Sequence, residues 1–126
     1  MSYHVSKAEF AALIQEAIAE LPPKFAAALD EVSIELKDRP TRRQLRSVGL
    51  KDDELLMGLY TGRPLTVRSV EDGPRLPDSI QIFQEDCEIA CNSREQLLKE
   101  VRITVLHELG HHFGMNENDL DALGYG

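Results

Sequence analysis

The sequence has only two cysteines, Cys87 and Cys91, and no tryptophan. Two thiols cannot build a disulfide framework, and with no export signal they point to a reducing compartment. No apolar run approaches the ~20 residues that a membrane-spanning helix needs. Residues 1–20 mix Lys7, Glu9, Glu16 and Glu20 among their apolar residues, which excludes a signal peptide. Positive charge is scarce too: 14 Lys and Arg against 22 Asp and Glu leave a net charge of −8. Such a surface repels phosphate backbones on average, so no nucleic-acid partner is expected, and no membrane partner. Repeats, low-complexity tracts and linkers are also missing. What remains is a 126-residue chain, 42% hydrophobic and 29% charged, expected to form one cytoplasmic domain over residues 1–126.

Local patterns divide the chain. Ser6 and Glu9 have capping-box spacing, and Phe10, Leu13, Ile14, Ala17, Ile18 and Leu21 recur along one helical face. Pro22 and Pro23 end that helix and favour a short second one over residues 24–29. Val32 to Leu36 alternates as a half-buried strand does. The arginine-rich stretch from Lys37 to Lys51 reads as a solvated loop. Further strands are expected at Leu55–Tyr60 and Leu65–Val70. The Pro- and Gly-containing segment Glu71–Asp78 is expected to be a loop, followed by a short sheet-edge strand at Ile80–Phe83. Ser93 and Gln96 then open a long helix that runs without proline to Phe113. Its apolar residues spread around most of the circumference, so it is expected at the centre of the fold. Gly114 fits the left-handed position just past its end.

That helix carries His107-Glu108-Leu109-Gly110-His111, an H-E-x-x-H pattern. Residues four apart stack on one helical face, so both imidazoles can reach one metal ion. Zinc (Zn2+) accepts histidine nitrogens in tetrahedral geometry and keeps a position open for water in catalytic centres. Glu108 lies beside that face, placed to act as general base. A third ligand is required. Glu117 occupies the final place of the extended pattern H-E-x-x-H-x-x-G-x-x-acid, in which the glycine reverses the chain. Asn116 is also a natural helix N-cap with acids in the following turn, in which case Asp119 or Asp121 is the ligand instead.

From about Lys7 to Tyr125 the chain resembles the family of small bacterial minimal zincin-like metallopeptidases. Three stretches carry the resemblance: Glu16 to Pro23 with Phe25, Gly58 to Leu65, and His107 to Asp119. It implies a compact α+β fold, with a small mixed sheet and an antiparallel edge strand beside the metal helix. It also implies a zinc site using His107 and His111. Family members commonly carry Asp at the place of Glu117.

The remaining features have simpler readings. Cys87 and Cys91 are expected as small core residues. His112, about 100° around the helix from His111, is expected to pack or hydrogen-bond away from the metal. Tyr60 and Tyr125 are packing residues or, less simply, oxyanion donors, and His4 is a solvated terminus. The reading is a zinc metallopeptidase with a peptide or protein substrate docking along Ile80–Phe83. A zinc-stabilised interaction module without peptidase activity is the alternative. A metal-dependent ribonuclease is disfavoured by Glu108 and by the negative charge.

Overall fold

The computed structural model describes residues 2–62 and 78–124. Helix α1 (Lys7–Ala19) starts where Ser6 Oγ accepts the Glu9 N–H at 3.1 Å, and it buries Phe10, Leu13, Ile14 and Ala17. The proline pair restarts the chain as α2 (Pro23–Ala28). Strand β1 (Val32–Lys37) follows.

The arginine-rich stretch is not a solvated loop. It contains helix α3 (Arg42–Ser47), which opens with a reciprocal capping box. Gln44 N–H donates to Thr41 Oγ1 at 3.1 Å, and Thr41 N–H donates to Gln44 Oε1 at 2.9 Å. Arg, Gln and Leu all favour helix, and burial of Leu45 secures it.

Strand β2 (Gly58–Thr61) begins three residues later than its apolar pattern suggests. The Leu56 N–H just before it is taken by Asp86 Oδ2 at 2.9 Å. Strand β3 (Asp78–Phe83) corrects another expectation, because it is the central strand and not an edge. It pairs in parallel with β1, from Val32↔Asp78 to Lys37↔Phe83, and antiparallel with β2, from Gly58↔Ile82 to Thr61↔Ser79. Ile80 and Ile82 are fully buried on one face of β3, as is Phe83 at its end, while Ser79 and Gln81 on the other face are half-buried. With both edges paired, β3 has no free edge to offer a docking peptide. The strand expected at residues 65–70, residues 71–77 of the expected loop, and Tyr125 lie outside the described residues.

Helix α4 (Gln84–Ile89) leads directly off β3. The long helix α5 (Arg94–His112) is capped by Ser93 Oγ, which accepts the Gln96 N–H at 3.2 Å. The Gln96 side chain reaches back one residue further, taking the Asn92 N–H at 2.8 Å. Leu97, Val101, Val105 and Leu109 of α5 join Phe10, Leu13 and Ile14 of α1 and Ile80 and Ile82 of β3 in one core. Burying that aliphatic surface is the main force holding α5 at the centre. A last helix, α6 (Glu117–Leu123), closes the description. The result is the expected α+β architecture: a mixed three-stranded sheet with β2 beside α5. Among the described residues, no helix is long and apolar enough to cross a membrane.

Candidate metal centre

His107, Glu108 and His111 project from the C-terminal half of α5, with donor atoms within 4.8 Å of one another, a group able to hold a metal ion. The two histidines sit one helical turn apart, and their Nε2 atoms approach to 3.2 Å. Both side chains keep contact with solvent, at 21% and 30% exposure.

The end of α5 determines what faces them. Gly114 N–H donates to His111 O and Met115 N–H to Gly110 O, both at 2.9 Å, with Gly114 at φ 81°. This is a Schellman motif, and the left-handed residue at its centre favours glycine. Gly110 is needed for a different reason. A Cβ there would collide with Leu120, so its bare backbone lets α6 lie against α5. Glu117, the first residue of α6, thereby carries Oε1 to 3.2 Å from His111 Nε2 and 3.4 Å from His107 Nε2.

The two other acids considered for this role lie differently. Asp119 turns its carboxylate back to cap α6: Oδ2 accepts the Asn116 N–H at 3.0 Å, while the Asp119 N–H donates to Asn116 Oδ1 at 2.8 Å. Asp121 is exposed one turn further along α6.

Glu108 is buried between α5 and β2. Its Oε1 accepts the Tyr60 N–H at 2.8 Å, and Oε2 lies 3.8 Å from His107 Nε2. Burial pushes its carboxyl up to about 7; the neighbouring His107 and the Tyr60 N–H pull the other way and only partly offset it. A carboxyl so tuned can both accept and release a proton near neutral pH.

His112 faces away from this cleft and is fully buried. Its Nδ1 lies 3.0 Å from Asp78 Oδ2, which also accepts the Tyr60 hydroxyl at 2.7 Å. Tyr60 therefore serves the centre through its backbone N–H, with its hydroxyl turned to Asp78. Sequence reasoning missed Asp78, because no local pattern marks an aspartate whose partners lie on two other elements. Cys87 and Cys91 are buried free thiols, as expected, and burial pushes both upward in pKa. His4 is largely exposed, though its Nδ1 lies 3.4 Å from Glu88.

A conserved hypothetical protein from Thermo thermophilus has a similar structure, with a TM-score of 0.54. The two chains are 24% identical, and the match covers 94% of this chain and 97% of that one; at such identity the likeness speaks for the fold alone. No curated protein matches the sequence. The sequence profile of the zincin-like metallopeptidases matches residues 29–126, a span that includes both strands and helices around the His107-Glu108-His111 group. The chain belongs to the zincin-like metallopeptidase family.

Proposed function

We propose that this protein is a zinc-dependent peptidase, with His107, His111 and Glu117 as metal ligands and Glu108 as general base. The observation that carries the reading is the triangle of His107 Nε2, His111 Nε2 and Glu117 Oε1, with sides of 3.2, 3.2 and 3.4 Å. Tetrahedral zinc, with donors at about 2.0–2.1 Å, sets any two of them about 3.3–3.4 Å apart. Two imidazoles and a carboxylate at that spacing fit zinc, and three protein ligands are the number found in catalytic sites.

When bound, zinc supplies Lewis acidity, lowering the pKa of water and polarising the carbonyl of a scissile amide. Glu108 takes the proton of the attacking water and passes it to the departing amine nitrogen. The Tyr60 N–H fixes the orientation of that carboxylate. The peptide lies along β2, where the Phe83 N–H to Met57 O bond sets the ladder phase. In that phase Gly58 turns its own N–H and C=O away from β3 and toward the cleft.

The test is a peptide-library digest by the zinc-loaded protein. Cleavage is expected, abolished by chelator and by Glu108→Gln, with zinc content unchanged in the variant. Full hydrolysis by the Gln variant, or no cleavage by the zinc-loaded protein, would overturn the reading.

A further inference from the structure

Beside the candidate centre lies a cavity of about 350 Å³, walled by Val48, Leu50, Leu56 and Leu59 and floored by the histidines, Glu108 and Glu117. Apart from Glu108, Glu117 and the histidines, its lining among the described residues carries no charge. Val48, a β-branched apolar side chain, is 44% exposed where it lines this cavity.

The wall is built rigidly. At the end of α3 the Gly49 N–H donates to Arg46 O at 3.0 Å, and the Leu50 N–H donates to Leu45 O at 2.9 Å. These two bonds form a second Schellman motif, which holds Val48 and Leu50 in place while Leu45 anchors the helix in the interior. Leu56 is held by Asp86 through its N–H, and Leu59 is carried on β2. The apolar surface is therefore preformed, and it is continuous with the groups proposed to cut the amide.

Resting on the peptidase reading, we infer that this cavity is a specificity subsite for a large aliphatic or aromatic side chain next to the scissile bond. Val48 and Leu59 are the residues that select it. An acidic side chain there would be desolvated without a partner and would face Glu108 and Glu117. A glycine would leave the apolar wall uncovered. Val48 thus acts on specificity through packing and takes no part in the proton transfers.

Leucine, phenylalanine, glycine and aspartate hydroxamates serve as probes, each presenting its side chain beside a zinc-binding group. Binding is measured to zinc-loaded Glu108→Gln, which removes turnover from the readout. The leucine and phenylalanine probes are expected to bind at least about tenfold more tightly than the other two. Val48→Glu in the same background is expected to erase that preference, and Val48→Lys to shift it toward the aspartate probe. Ile89→Glu, which places the same charge on an exposed apolar position of α4, is expected to keep it. Equal binding of all four probes, or a preference that survives both Val48 variants, overturns the inference. Chelator-sensitive digestion with no apolar bias would overturn it and leave the peptidase reading standing. Absence of both probe binding and digestion would remove the two together.

Discussion

His111 turns 30% of its side chain to the cleft, whereas His112, the next residue, is fully buried against Asp78. The ~100° step between consecutive helical residues places the pair in different regions of the molecule. On the cleft side, His107, Glu108, His111 and Glu117 crowd polar donors together, and Glu108 is held where its charge is poorly solvated. On the core side, His112, Asp78 and Tyr60 form a buried network of hydrogen bonds at 2.7–3.0 Å. Without a metal, the buried charge of Glu108 is expected to cost the fold stability, and the Asp78 network to contribute it. One helix thus separates chemistry from support within a single residue step.

The largest expected effect tests the cost on the cleft side. Burial raises the folded pKa of Glu108 from 4.5 to about 7, so the folded protein binds that proton more tightly than the unfolded chain. The stability this provides is fully present below about 4.5 and is lost as pH rises through about 7. The gap corresponds to about 3 kcal/mol. Metal-free Glu108→Gln, which keeps an acceptor for the Tyr60 N–H, is therefore expected to exceed the native chain in stability by about 3 kcal/mol at pH 8. Near pH 4 the two should unfold alike in urea. A difference that does not grow with pH would show that the cleft carboxylate is not a burden on the fold. On the proposed peptidase reading, the same change in the zinc-loaded protein is expected to lower hydrolysis by about 10²–10⁴-fold.

A second test exchanges the roles of the two histidines. His112→Phe keeps a ring of similar size but withdraws a partner from the buried Asp78 carboxylate, at an expected cost of about 2 kcal/mol. Zinc stoichiometry in the folded protein should be unchanged. His111→Phe is expected to do the reverse, with lost zinc binding and little change in the stability of the metal-free protein. Equilibrium unfolding and metal analysis on both variants would decide. Zinc loss in His112→Phe with native stability would contradict the division.

The cleft side was far more legible in the sequence than the core side, for a physical reason. Ser93, the unbroken run to Phe113, the four-residue spacing of His107 and His111, and Gly114 all act within one or two helical turns. Asp78 depends on β3 lying between β1 and β2, and Tyr60 reaches Glu108 across 48 positions of chain. Ile80–Phe83 is short and follows a proline-rich segment, which resembles an edge strand until the pairing partners are known. Helix α3 is a different case. Thr41 and Gln44 carry a capping signal as clear as that of Ser93 and Gln96, but the surrounding arginines point to a solvated loop. The positions of Val48 and Leu50 at the cleft follow only once α3 and its last turn are in place.

The smallest expected effect separates two acids that composition alone cannot rank. Glu117 and Asp119 both lie in the first turn of α6, where negative charge complements the helix dipole. Only Glu117 extends to the histidines; Asp119 is committed to the reciprocal cap with Asn116. Asp119→Ala should therefore cost about 1 kcal/mol, the usual worth of a cap, with zinc affinity nearly unchanged. Glu117→Ala should leave the cap intact and lower zinc affinity by a far larger factor. Zinc titrations of the two variants beside their thermal unfolding would show the split. If Asp119→Ala lost the metal and Glu117→Ala kept it, α6 would have to present its carboxylates in another order. The cleft would then owe its third donor to the cap and not to the residue that Gly110 and Gly114 bring back toward α5.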